Sequence, residues 1–205
     1  MKPIIFSTPM VRAILDGRKT QTRRVIKPNI IEKGTNWFWN PNENVNLAPY
    51  KPGDVLWVRE TWATVSSGII EYRAKYKEPY TGSTEIDHIG KKITWRPSIH
   101  MPREAARIFL KVTNVRVERV QDITEEDARS EGVKDPYEYQ SPEYYEQPSL
   151  RGFEINKSAF AGCWDSIYSK RGYGWDTNPW VWVVKFERIS KDEALLKESE
   201  VEENE

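Results

Sequence analysis

The chain is poor in the side chains that hold soft metals or form cross-links. Among 205 residues there is one cysteine, Cys163, and there are two histidines, His88 and His100. One thiol excludes an intramolecular disulfide and a Cys-rich zinc site, and two imidazoles are too few for a histidine cluster. The sequence therefore offers no metal site, nothing in it asks for a cofactor, and a reducing cytoplasm is the expected compartment. Long apolar runs are also missing: none approaches the roughly 20 residues needed to span a bilayer, and Met1-Lys2-Pro3-Ile4 leads into a strand rather than a signal-peptide core. A membrane partner is not expected. Neither charge sign is in excess, with 31 bases against 31 acids.

That balance conceals a gradient. Lys191 to Glu205 carries 7 acids and 2 bases, which leaves residues 1–190 with 29 bases against 24 acids. Residues 1–27 alone hold seven bases against the single acid Asp16. A basic body of this kind suits a phosphate-bearing partner, although a solvated basic face has the same composition.

Apolar content of 38% with 9 Trp and 10 Tyr is enough for one well-buried core. Pro3 to Phe6 reads as a strand. Ser7-Thr8-Pro9 then supplies an N-cap and a first-turn proline, Met10, Ile14 and Leu15 an apolar stripe, and Gly17 a left-handed stop. Thr20 to Ile26 reads as a strand with Thr20, Thr22 and Arg24 on one face. Val55 to Trp62 and Ala106 to Val120 are further strands, and Glu71 to Tyr76 is a candidate to pair with the former. Thr124-Glu125-Glu126-Asp127 resembles a capping box opening a helix through Glu131, with Gly132 as its end. Ser158 to Tyr168 reads as a helix with Phe160, Trp164, Ile167 and Tyr168 on one side, and Trp180 to Ile189 as the last strand. Stretches near 29–50, 77–94 and 134–157 have no clear period and read as insertions. The sum is an α+β fold: one domain over 1–190 built on a small mixed barrel with a few short helices and three insertions, followed by an acidic tail, 191–205, expected to lack order.

Three elements in order then resemble a known family. They are Gly17-x-Lys19-x-x-Thr22-x-Arg24, Lys51-Pro52-Gly53-Asp54 leading a strand, and Ile123-Thr124-Glu125-Glu126-Asp127-Ala128 running to Glu131-Gly132. Together they resemble the ASCH domain family, which implies a PUA-like barrel. The wider chain, through Trp95-Arg96-Pro97-Ser98-Ile99-His100-Met101-Pro102-Arg103 and Gly172-Tyr173-Gly174-Trp175-Asp176-x-Asn178-Pro179-Trp180, looks like the larger phage and prophage members. Thr22 stands where the family usually has glutamate, and threonine there is similar to the branch that hydrolyses N(4)-acetylcytidine. Carried over by position, that resemblance implies Lys19, Thr22 and Glu131 as catalytic residues. Binding RNA or modified bases without catalysis, or cleaving RNA, are the other activities it implies.

Removing an acyl group from an amide nitrogen requires a nucleophile, a base and a donor for the developing oxyanion. Thr22 can attack with Lys19 as base and Glu131 orienting the lysine, or Glu131 can activate water while Lys19 steadies the oxyanion. In a regular strand Lys19 and Thr22 point to opposite faces, so attack by Thr22 with Lys19 as base needs a kink near Gly17. Arg18, Arg23 and Arg24 surround the lysine in sequence, and Arg96, His100 and Arg103 extend the candidate surface for a modified nucleoside or RNA. Trp57, Trp62, Trp164 and Trp182 are assigned to packing. Trp37, Trp39, Trp95, Trp175 and Trp180 sit in or beside loops, with Trp175 and Trp180 the chosen stacking candidates.

Overall fold

A computed structural model describes residues 1–27, 44–66, 68–76, 85–87, 89–134 and 155–202. Much of the three insertions, with Trp37, Trp39 and His88, lies outside the described residues. The expected α+β class is what the structure has. Among the described residues, seven strands form a five-stranded sheet in the order β1-β3-β6-β7-β2 and a two-stranded sheet, β4-β5. They are β1 (Lys2–Ile5), β2 (Gln21–Val25), β3 (Val55–Arg59), β4 (Trp62–Thr64), β5 (Ile70–Tyr72), β6 (Phe109–Arg119) and β7 (Trp180–Ile189). The helices are α1 (Thr8–Leu15), α2 (Glu125–Ser130), α3 (Ile155–Tyr168) and α4 (Lys191–Glu202).

The chain divides into two compact units whose segments interleave. No composition break marks the division, because each unit draws on separated stretches of chain.

The first unit comprises Met1–Asp16, Pro52–Val112 and Phe186–Glu205. Here β1 pairs parallel with β3, and β3 pairs antiparallel with the start of β6. Helix α1 keeps the first-turn proline and Gly17 at φ +76° just past its end, but Ser7 makes no side-chain cap hydrogen bond, and of the expected stripe only Ile14 is buried, with Val11 and Ala13 in place of Met10 and Leu15. The strand expected to run from Val55 to Trp62 is broken at Glu60. That carboxylate is 1% exposed and is held by Arg107, whose Nε and Nη2 donate at 2.9 and 3.0 Å. Trp62 then starts β4, which pairs with β5. Trp57 and Trp62 consequently serve different clusters, the former with Val55, Phe109 and Ala194, the latter with Met101 and Ala105.

The acidic tail is ordered over α4, contrary to expectation. Ser190 Oγ accepts from the Glu193 N–H at 3.0 Å, Asp192 and Glu193 occupy the first turn where the helix dipole favours anions, and Ala194 is fully buried. Glu198 accepts from the Met1 ammonium at 2.8 Å and from Arg103. One small apolar residue and one pair of cations thus fix a segment whose composition alone argues for solvation. Ala194→Glu is expected to undock α4, since it drives a carboxylate into contact with Val55, Trp57 and Phe109. Limited trypsinolysis checks this: cleavage after Lys197 should accelerate while the remainder of the chain stays resistant.

The second unit comprises Gly17–Lys51 and Thr113–Lys185. β2 pairs antiparallel with β7, Thr22 opposite Val184 and Arg24 opposite Trp182. α3 begins at Ile155, inside the stretch expected to be insertion. Its start is anchored by Glu125 in α2, which accepts from the N–H groups of Asn156 and Lys157 at 3.0 and 2.9 Å. Phe160 and Trp164 from α3 pack with Val120, Ile123, Ala128, Val181 and Val183. Each such large apolar side chain contributes roughly 1.5–3 kcal/mol on burial, which is what holds α2 and α3 in place.

Candidate functional site

All three residues implied as catalytic belong to the second unit, and two of them meet. Between the stop of α1 and the start of β2 the chain makes a single antiparallel bridge, Lys19 to Glu131, and the Thr20 N–H donates to the Ser130 carbonyl at 2.9 Å. The bridge sets the last residue of the α2 turn against the residue that precedes β2. Glu131 is the C-cap of α2, its N–H bonded back to the Asp127 carbonyl, and Gly132 follows at φ +82°. A left-handed residue at that position lets the helix end and the chain turn away at once. Thr124 Oγ1 accepts from the Asp127 N–H at 3.1 Å, so the capping residue expected from sequence fixes the other end of the same short helix.

The side chains then close on one another. Lys19 Nζ donates to Glu131 Oε2 at 2.7 Å and to the Glu131 carbonyl at 2.8 Å. Arg23 Nη1 donates to the other carboxylate oxygen, Oε1, at 3.1 Å. Lys19 is 2%, Arg23 3% and Glu131 8% exposed, so this is a buried, charge-assisted cluster rather than a surface pair. It extends through Arg23, whose Nε donates to Glu118 Oε1 at 2.9 Å and whose Nη2 reaches Glu118 and, at 3.1 Å, Asp127 Oδ2. Arg116 completes it, donating to Glu118 Oε2 at 2.9 Å and to Asp127 Oδ2 at 2.5 Å. Three cations and three carboxylates alternate, and the Phe160 ring lies 5.7 Å from the Arg23 guanidinium.

Burial pushes the Lys19 amine below its ordinary value of 10.5; Glu131 opposes the shift, Arg24 adds to it, and Cys163 opposes it weakly. The cost of keeping an ammonium out of water therefore outweighs its partner here. Burial raises Asp127 in the same way, but Arg116, Gln21 and Arg23 outweigh it and hold the carboxyl below its ordinary 3.8. The Cys163 thiol, on α3, is raised by burial, with Lys19 opposing and Glu131 assisting, which places it within electrostatic reach of the pair.

Thr22 is not part of this contact. Strand alternation sends Gln21 and Arg23 to the α2 side, where Gln21 Nε2 donates to the Asp127 carbonyl at 2.9 Å, and sends Thr22 and Arg24 to the other. Among the described residues no hydrogen bond joins Thr22 to Lys19 or Glu131. Lys19 lies ahead of the regular strand, in the single bridge, and from there it feels Arg24 as well as Glu131.

The remaining candidates are dispersed. Arg18 Nη1 donates to the Gly132 carbonyl at 2.7 Å and so braces the bridge. Trp175 is half-buried with its ring edge-on to Phe160, and Trp180 is covered by the Arg119 guanidinium at 4.2 Å. Both expected stacking platforms are thus engaged within the protein. Arg96, His100 and Arg103 belong to the first unit, where Arg96 covers the Trp62 ring at 5.1 Å, His100 ends an exposed turn and Arg103 bonds Glu198. Sequence reasoning missed Arg116, Glu118, Asp127 and Cys163. For Asp127 the signal was present, four residues before Glu131 and hence on the same helix face.

A cavity of about 400 Å³ opens in the same unit, lined by Gly17, Arg18, Thr20, Arg129, Ser130, Val133, Lys134 and Asn156. Thr20 and Ser130 are the immediate neighbours of Lys19 and Glu131. Among the described residues no group of His, Cys, Asp and Glu is arranged to hold a metal ion, and no helix is long and apolar enough to cross a membrane.

No protein-family model matches the chain, and no curated protein matches it. Among solved structures it is similar to an ASCH domain from Lactobacillus crispatus JV V101, at 14% identity and a TM-score of 0.39, covering 88% of this chain and 71% of that one. It is also similar to a protein of Enterococcus faecalis V583 with the family model DUF984, at 11% identity and a TM-score of 0.39, covering 87% of this chain and 66% of that one. The chain thus spans just under two thirds of the length of the Enterococcus protein.

Proposed function

We propose that the protein is an ASCH-type hydrolase that removes an acyl group from the exocyclic nitrogen of a modified pyrimidine, with N(4)-acetylcytidine as the model substrate. The observation that carries this reading is the buried Lys19–Glu131 pair, in which the lysine amine is held below its ordinary value. A neutral amine is a base, an ammonium is not, and burial moves Lys19 toward the neutral form. Glu131 orients that amine. Its carboxylate, committed to Lys19 and Arg23, is a poor base for water, which favours the lysine over the glutamate in that role.

In this reading the Thr22 hydroxyl attacks the amide carbon as Lys19 takes its proton. The tetrahedral adduct collapses with cleavage of the carbon–nitrogen bond, and the departing amine takes the proton back from Lys19. Water, deprotonated by Lys19, then attacks the acyl-threonine carbon, the ester bond breaks and Lys19 returns the proton to the Thr22 oxygen, so that one amide and one water yield cytidine and acetic acid, which ionises to acetate. The attack requires the Lys19 amine to swing from Glu131 toward the Thr22 face, where Arg24 already acts on it.

Incubation with N(4)-acetylcytidine, followed by chromatography for cytidine and acetate, tests the proposal. Turnover lost at least ~10³-fold in Lys19→Ala and in Thr22→Val supports it; no turnover above that of Lys19→Ala removes it. A second reading is a noncatalytic binder of RNA or modified bases. It is favoured by the position of Thr22 on the strand face opposite Arg23 and predicts binding without turnover, weakening steeply with salt. A gel assay on RNA separates both from a ribonuclease.

A further inference from the structure

The cavity beside the Lys19–Glu131 pair is built from a different chemistry than the pair itself. Arg18, Arg129 and Lys134 all line it, with the hydroxyl residues Thr20 and Ser130 between them. Arg129 and Lys134 are exposed, so their charges lie in solvent at the wall and are available to an anion. The carboxylate that acts on Arg129 is Glu125, and it is committed elsewhere, accepting from the Asn156 N–H, the Asn156 Nδ2 at 2.7 Å and the Lys157 N–H. Among the described residues three cations line the cavity, and Glu125, the carboxylate that interacts with Arg129, already accepts from three donors.

A second observation points the same way by a different route. Asn156 lines the same cavity and is 2% exposed; its amide nitrogen is fixed on Glu125, and its Oδ1 has no hydrogen-bond partner. Because the nitrogen is fixed, the amide cannot turn to hide the deficit, and the oxygen calls for a donor. Inorganic phosphate would engage the cations but does little for an acceptor. A phosphate joined to a hydroxylated sugar answers both needs, and about 400 Å³ lies within the ~300–1,000 Å³ usual for small-molecule sites.

We infer that this cavity binds the phosphate and ribose of a nucleotide unit, so that the ligand of the neighbouring site is a phosphorylated nucleoside rather than a free one. The phosphate lies against Arg129, Lys134 and Arg18, and a ribose hydroxyl donates to Asn156 Oδ1. The inference rests on the nucleoside-directed reading of the site but not on catalysis there. A 5′-phosphate and an internal phosphodiester present the same chemistry, and the experiment separates them.

Calorimetric titration of the full chain with cytidine, cytidine 5′-monophosphate and a short cytidine oligonucleotide lacking terminal phosphates provides the test. Cytidine monophosphate, the oligonucleotide, or both should bind at least ~10-fold tighter than cytidine at low salt. The preferred one identifies the source of the phosphate. In Arg129→Gln/Lys134→Gln, two exposed changes that leave the buried cluster intact, that advantage should disappear while cytidine binding is unchanged. Equal binding of all three ligands, or an advantage that survives the double variant, overturns the inference. Failure of N(4)-acetylcytidine turnover leaves this ratio untouched, so the two proposals fail separately.

Discussion

Glu131→Leu is expected to lower the unfolding free energy by about 3–5 kcal/mol, and adding Lys19→Met is expected to restore most of it. Removing the carboxylate takes the charged acceptor away from a buried ammonium, which donates to both the Glu131 side chain and its main chain. The second substitution removes that charge as well, and an apolar pair of similar volume is commonly neutral or better than a buried ion pair. Rescue by a second mutation is the distinguishing outcome, since two independent losses would add. Chemical denaturation of the four species measures it, and a double variant no more stable than Glu131→Leu would remove the charge-pair explanation.

The same variant carries a pH signature. With its amine held below 10.5 in the folded state, Lys19 binds fewer protons folded than unfolded between that lowered value and 10.5, so stability rises with pH across the window. Loss of Glu131 removes the main opposing influence and lowers the amine further, so the window widens downward. The penalty of Glu131→Leu is therefore greatest below the variant's folded value and is lost as pH rises to the parent's folded value.

Much of this site was legible before any coordinates. Gly17 as a left-handed stop, the Thr124 cap and Gly132 as a helix end are local devices, each set by a few adjacent residues, and each is observed. The approach of Lys19 to Glu131 was implied only by family resemblance, since 112 residues separate them. What the chain alone did not disclose is the outer ring of Arg116, Glu118 and Asp127. Charged residues alternating on a strand read as a solvated face, and only the packing of Phe160 and Trp164 over α2 turns that face inward. The same blindness, with opposite sign, affected α4: an acidic segment reads as solvated until one buried alanine and two cations are found to hold it.

Arg23→Leu is expected to be at least as costly as the loss of Glu131, at about 3–5 kcal/mol near neutral pH, and to lose that cost in acid. Arg23 donates to three carboxylates, Glu118, Asp127 and Glu131. Its removal leaves Glu118 and Asp127 to share Arg116 and leaves Glu131 to Lys19 alone. Asp127 provides the acid signature. Its carboxyl is held below 3.8 in the fold, so it contributes stability that is fully present above 3.8 and lost as pH falls through the folded value. Without Arg23 that value rises, so acid no longer costs the variant what it costs the parent. The two unfolding free energies should converge as pH drops below about 4, where protonation of Asp127 removes the charge that Arg23 holds. Urea unfolding of both proteins from pH 7 to pH 3 measures the gap. If the gap stays constant, Arg23 acts through packing on Phe160 rather than through charge, and the alternating network is not what secures α2 against β2.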